Sequence, residues 1–178
     1  YYANAVLANI LYQNAAKEFC AVAAVLTNGD REFSEVSQAR SVAYVASAAL
    51  ADKELQLSEN QKTLLDGFVQ KAVAYAQGVN ETDFVSDGSY SVNVAMVENI
   101  FLEPGDSKSL APSVTPEVNL YTEWASDNED VATVDENGLV TAVAKGTANI
   151  TFSVYGVTQN CVVKVEKLKN ESISSIII

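Results

Sequence analysis

The 178-residue chain has no histidine. That removes the commonest general base, the usual activator of a serine or cysteine nucleophile, and the commonest metal ligand. Cysteine is nearly as scarce. Cys20 and Cys161 occur alone, and two cysteines make no disulfide framework. Both read as small buried hydrophobes. Basic residues number 11 against 23 acidic, a formal charge of −12. Up to residue 88 there are 6 basic and 11 acidic residues, and beyond it 5 and 12, so both halves are acidic. With no basic face to meet a phosphate backbone, nucleic acid is excluded as a partner, and so is electrostatic attachment to anionic lipid. The acidity itself reads as solubility through self-repulsion. The longest apolar run, Phe19 to Leu26, is 8 residues, far below a membrane span. No glycine-rich phosphate loop is present either. From these absences the chain is expected to be no enzyme, with no catalytic residue, cofactor or metal, and its binding residues are left unassigned.

What is present falls into two regions of different period, an α and a β domain. Residues 3–78 read as helix, within an expected three-helix bundle over residues 1–86. The first segment repeats apolar residues at Val6/Leu7, Ile10/Leu11, Ala15, Phe19, Val22 and Val25/Leu26, and Asn28-Gly29 ends it. Its last two turns are apolar nearly all round, as in a central bundle helix. Ser34 stands where a cap for the second helix belongs, and its stripe is Val36, Ala39, Ala43, Ala46 and Leu50. Ser58 with Gln61 forms a capping box for the third. Leu64/Leu65, Phe68, Ala72 and Tyr75/Ala76 line its apolar face, and Gly78 takes the C-terminal cap position. The alanine-rich faces, Ala21, Ala23 and Ala24 in one helix and Ala43, Ala46, Ala48 and Ala49 in the next, fit close packing between helices.

Beyond the polar stretch "GVNETDFVSDG" the period becomes 2. In "GTANITFSV" Ala148, Ile150, Phe152 and Val154 alternate with Thr147, Asn149, Thr151 and Ser153, the pattern of a half-buried strand. Asn137-Gly138 and Lys145-Gly146 mark reversals, Pro104-Gly105 closes an opening strand "VENIFLE", and Pro112 and Pro116 flank a loop. About seven strands in roughly 75 residues is the size of an antiparallel β-sandwich. The expected boundaries are 90–167 for the sandwich and 168–178 for a linker or the first strand of a following copy.

Between Val97 and Val165 the chain carries "ENIFLEPGDSKSL", "VTP" at 114–116, "EWASDNEDVATVDENGLVTAVAKGTANITF" and the closing strand "CVVKVEK". On these pieces the stretch resembles the bacterial immunoglobulin-like domain of group 2. The W-x-S-x-N element stands as Trp124, Ser126 and Asn128. Physically, Trp124 is an anchor expected at the heart of the sandwich, and Ser126 and Asn128 are backbone hydrogen-bonders. Gly138 and Gly146 supply backbone freedom. All of these are structural jobs. "SISSIII" near the C-terminus is similar to the first strand of such a domain and is read as the start of a tandem copy. With no Met or leader at Tyr1, the chain is read as a piece of something larger. The helical half resembles no family.

The acidic residues Asp127, Glu129, Asp130, Asp135 and Glu136 read as solvated loop charge rather than a Ca²⁺ site, because no EF-hand spacing is present. Asn80, Asn149 and Asn170 lie in N-x-[ST] triplets, which are common by chance. Carboxylates are plentiful enough for a glycoside-hydrolysing pair, but neither half is large enough for a deep cleft.

The resemblance implies a non-catalytic module of a bacterial cell-surface or secreted protein, acting in adhesion, ligand binding or as a spacer. Its partners would be a protein or carbohydrate at a cell surface. Two alternatives stand beside it. One is a bacteriophage virion component, a capsid or tail protein whose helical part docks on neighbouring structural subunits. The other is an accessory domain of a large extracellular carbohydrate-active enzyme.

Overall fold

The computed structural model describes residues 35–80 and 82–167. The first expected helix, its Cys20, the Ser34 cap and the tail from residue 168 lie outside the described residues, as do the side chains of Val36 and Ala39. Two helices, rather than a three-helix bundle, are present among the described residues: α1 (Glu35–Ala51) and α2 (Glu59–Ala76). Nine strands follow among the described residues: β1 (Asn93–Ala95), β2 (Asn99–Leu102), β3 (Ser107–Ser109), β4 (Ser113–Thr115), β5 (Thr122–Ser126), β6 (Ala132–Val134), β7 (Leu139–Ala142), β8 (Gly146–Val154) and β9 (Val157–Val165).

The described chain forms two compact units. The helical unit runs through Val94 and also takes Val114–Thr122 and Val154–Val157. The other unit takes Ala95–Ser113, Glu123–Ser153 and the strand from Thr158.

In the helical unit, α1 buries Val42, Ala43, Val45, Ala46, Ala48 and Ala49. Small side chains let a facing helix come close, and α2 supplies Leu65, Val69, Ala72 and Val73 to the same unit's buried set. The caps of α2 are those the sequence announces. Ser58 N–H donates to Gln61 Oε1 at 2.9 Å, and Gln61 N–H donates to Ser58 Oγ at 3.4 Å. At the other end Gly78 adopts φ +88°. Its N–H donates to the Tyr75 carbonyl and that of Val79 to the Ala74 carbonyl, the Schellman arrangement that satisfies the last open carbonyls. Leu64 departs from the expected stripe and is exposed, whereas Val69, Val73 and Ala74 are buried. In the Leu64/Leu65 pair the second member is the buried one, whereas in Tyr75/Ala76 it is the first.

The second unit is a sandwich. A four-stranded sheet in the order β2-β9-β8-β5 faces a three-stranded sheet in the order β3-β7-β6. Seven strands thus build the two facing sheets, as the turn spacing predicts. One core joins them: Ile100, Ala148, Ile150, Cys161, Val163 and Val165 from the larger sheet, Ala132, Val140 and Ala142 from the smaller, with Leu110 and Val131. Antiparallel pairing holds for β3 with β7 and β6 with β7, while β2 runs parallel to β9. The parallel exception has a topological cause. After β2 the chain crosses to the other sheet as β3, so no hairpin turn imposes an antiparallel neighbour on β2.

Candidate functional site

The residues of the W-x-S-x-N element lie on β5 and the loop after it. Trp124 is half-buried rather than central: it packs on the edge of the core with its ring tilted against Phe152, centroids 4.8 Å apart. Ser126 Oγ donates to the Ala132 carbonyl at 2.6 Å and accepts from Asn128 N–H at 3.2 Å. Asn128 acts through its main chain, its carbonyl accepting from the N–H groups of Val131 and Ala132. The Asn137-Gly138 turn explains its glycine twice over. Gly138 has φ +77°, and a Cβ there would stand 2.6 Å from Trp124 Cζ2 and 2.8 Å from the Leu110 carbonyl oxygen. The glycine is what lets the turn lie against the indole.

The loop acids are occupied by backbone. Asp127 accepts from Asn149 N–H at 2.7 Å and from Asn149 Nδ2 at 2.6 Å, and these two bonds hold its carboxyl below the usual range. Asp135 Oδ1 accepts from the N–H groups of Asn137 at 2.9 Å and Leu139 at 2.8 Å, fastening the turn. Glu129, Asp130 and Glu136 are exposed. Among the described residues no group of three or more Asp, Glu, Cys or His side chains is placed to hold a metal ion. Of the triplet asparagines, Asn149 is engaged with Asp127, Asn80 donates to Asp83 at 3.3 Å, and Asn170 lies outside the described residues. Cys161 is fully buried, and that burial pushes its thiol up and away from the nucleophilic thiolate.

The helical unit holds a polar cluster that the periodicity does not disclose. Gln70, almost fully buried on α2, donates from Nε2 to the Tyr90 carbonyl at 2.8 Å and to Tyr155 Oη at 2.6 Å. Its Oε1 accepts from Tyr90 N–H at 3.1 Å. Tyr155 Oη donates in turn to Asp66 Oδ1. Burial, and then the Asp66 carboxylate, drive the Tyr155 hydroxyl well above its ordinary range, so it stays protonated and is no base. Ser47 on α1 works similarly: it donates to the Tyr44 carbonyl and accepts from Tyr121 N–H, both at 2.8 Å. The signal for Tyr155 is there in the sequence once sought. Tyr155-Gly156 sits between two alternating runs, and both residues take positive φ, +42° and +77°, as a two-residue hairpin turn requires.

One further surface stands out by its chemistry. On the outward side of the four-stranded sheet, Thr151 Oγ1 donates to Asn160 Oδ1 at 3.0 Å, and the hydroxyls of Ser153 and Thr158 lie 3.1 Å apart. At the β2 edge Phe101 is 68% exposed, the most exposed large hydrophobic among the described residues. Lys164 Nζ lies 5.8 Å from its ring centroid, consistent with the Phe101–Lys164 register of β2 and β9.

Residues 91–165 match the model of the bacterial Ig-like domain, group 2. The matched span begins six residues earlier than the resemblance read from motifs and ends at the same residue. Over 52 residues the chain is also 46% identical to a 3-O-alpha-D-galactosyl-alpha-L-arabinofuranosidase of Bifidobacterium longum subsp. longum. That stretch is 28% of this chain and 5% of the relative, so the chain covers a small fraction of that enzyme's length. Within the Ig-like domain the motif residues are spent on folding. Trp124, Ser126, Asn128, Asp135 and Gly138 shape turns and fill the sandwich edge, and Asp127 ties its loop to β8. No helix among the described residues is long and apolar enough to cross a membrane.

Proposed function

We propose that the chain is a non-catalytic module of an extracellular or cell-surface bacterial protein, serving as a spacer or ligand-binding unit. The observation that supports this best is the match of residues 91–165 to the Ig-like domain, together with the structural roles of Trp124, Ser126, Asp135 and Gly138 in it. The site chemistry agrees in kind. The buried thiol and the raised tyrosine are poor nucleophiles and bases at neutral pH.

A second reading is favoured by the glycosidase stretch: an accessory domain carried by a large extracellular carbohydrate-active enzyme, with the catalytic domain elsewhere in that protein. The two readings share a non-catalytic role for this chain and differ in what it is attached to. Neither comparison adds weight to the virion alternative. The test is a turnover screen of the chain on glycans, peptides and phosphoesters. No turnover is expected. Hydrolysis that disappears when one carboxylate is replaced, with the fold intact, would overturn the reading.

A further inference from the structure

We propose that Asn137 is a modification site gated by the fold. Its side-chain amide is lost through a succinimide, to aspartate and isoaspartate, when the turn at 135–139 opens, and the closed turn shields it. The inference stands apart from the functional reading above.

The chain has two Asn-Gly pairs, Asn28-Gly29 and Asn137-Gly138, and the first lies outside the described residues. Asparagine before glycine is the pairing most open to this reaction, because glycine has no side chain to hinder its own backbone nitrogen. That nitrogen gives up its proton to hydroxide and attacks Asn137 Cγ. The C–N bond of the side-chain amide breaks, ammonia leaves with a proton from water, and a five-membered imide remains. Water then opens the imide at either carbonyl. The main chain continues through the α-carbonyl as aspartate, or through the side chain as isoaspartate. Asn137 is exposed, so hydroxide and water reach it.

What the fold controls is the nucleophile. The N–H of Gly138 donates to the Asp135 carbonyl at 3.0 Å, which holds the proton that the reaction must remove. The Gly138 carbonyl accepts from Leu110 N–H at 2.9 Å. Its α-carbon is buried in a slot where a Cβ would stand 2.6 Å from Trp124 Cζ2. The flanking peptide groups are fixed as well, since Asp135 Oδ1 accepts from both Asn137 N–H and Leu139 N–H. Bringing the Gly138 nitrogen onto Cγ means turning the planar peptide group about the Asn137 Cα–C bond. That rotation breaks the bond to the Asp135 carbonyl and drags Gly138 from its slot. The reaction therefore waits for local opening of the turn. Isoaspartate then lengthens the main chain by a methylene just before Gly138, and either product adds a negative charge beside Asp135 and Glu136. The modified turn closes less well than the original.

The experiment is peptide mapping by mass spectrometry of the full 178-residue chain, aged at mildly alkaline pH in plain buffer and in denaturing urea. Fragments carrying Asn28 and Asn137 are scored separately. In buffer Asn137 is expected to lose its amide at least about tenfold more slowly than in urea, as for a turn open about a tenth of the time or less. Asp135→Ala removes both side-chain bonds and leaves the main-chain carbonyl at 135 in place. It should raise the rate in buffer about fivefold, the effect of one lost hydrogen bond on the opening, while the rate in urea stays that of the parent chain. Near-UV circular dichroism checks that the variant is folded. Were it to unfold, the parent chain in buffer against urea still decides. Equal parent rates in buffer and urea would overturn the gating. An Asn137 that keeps its amide in urea would overturn the site itself. A folded Asp135→Ala with an unchanged rate in buffer would show that the bonds of this turn are not the gate.

Discussion

The helical unit and the sandwich solve the same burial problem with different materials. The sandwich core is apolar throughout, set by strict alternation along β8 and β9 and closed by Val140, Ala142 and Leu110 from the other side. The helical unit buries small residues and, with them, the polar side chains found buried among the described residues, Ser47 and Gln70. Each of those two is hydrogen-bonded to backbone far away in sequence, at Tyr121 and Tyr90. A sheet satisfies its own backbone, so its core needs no polar guests. A helical unit that takes in irregular segments such as Val114–Thr122 must satisfy their backbone with side chains. The two regions should therefore break differently: the sandwich by steric insult, the helical unit by loss of a hydrogen-bonding partner.

The largest effect is expected at Gly138. Alanine there must hold a left-handed backbone and push against both the indole and the Leu110 carbonyl. Strain and overpacking together predict a loss of about 3 kcal/mol, read from urea unfolding followed by Trp emission. Because Trp124 is the single tryptophan, that signal reports the sandwich. A loss below about 1 kcal/mol would mean that the turn relaxes and the close approach is incidental. Trp124→Ala comes next, at about 2–3 kcal/mol, short of the cost for a fully buried aromatic because the ring is half-exposed. This one is followed by circular dichroism. A cost near 5 kcal/mol would restore the indole to the centre of the core.

How much of this was legible in the residues follows the same division. The period-2 alternation, the Asn137-Gly138 turn and the Ser126 hydroxyl read directly into structure, because each depends on neighbours a few residues away. The depth of Trp124 did not, since it depends on where β5 lies in its sheet, and β5 is an edge strand. The parallel β2–β9 pair was equally hidden, being a consequence of the order in which strands change sheets. In the helical unit the Ser58–Gln61 box and Gly78 cap are local and were readable. Gln70 is not: on periodicity alone it is one more polar residue in "FVQKAV". Its partners, Tyr90 and Tyr155, lie 20 and 85 residues away. The outward Thr and Ser positions of β8 follow from alternation, whereas the placing of Phe101 beside Lys164 follows only from the β2–β9 register.

Gln70→Leu sharpens the comparison from the helical side. Leucine fills nearly the same volume, so the change isolates the hydrogen bonds. It leaves the Tyr90 N–H and carbonyl and the Tyr155 hydroxyl short of a partner, a loss of about 2 kcal/mol. The helical signal at 222 nm should shift to lower urea by more than the Trp124 emission does. Equal shifts in both would show that the clamp matters no more to the helices than to the sandwich.

The smallest effect, and the one with a pH signature, belongs to Tyr155. A tyrosine at φ +42° holds a backbone conformation that favours asparagine or glycine, and its hydroxyl contacts with Gln70 and Asp66 are what hold it there. Tyr155→Phe removes the hydroxyl but leaves Gln70 bonded to Tyr90, and Asp66 is partly open to water. The expected loss at neutral pH is accordingly about 1 kcal/mol. In the folded chain burial and Asp66 raise this hydroxyl above its ordinary range, whereas the unfolded chain releases the same proton near pH 10. Above that pH the unfolded state binds fewer protons than the folded one, so stability falls as pH rises. The contribution is whole below about pH 10 and fades as the pH climbs toward the raised folded value. Urea midpoints of the parent chain and Tyr155→Phe should therefore differ at pH 7 and converge above pH 10 as lysines and other tyrosines titrate alike in both. Parallel curves across that range would show that the Tyr155 hydroxyl is not held protonated by Asp66, and would reduce its role to turn geometry alone.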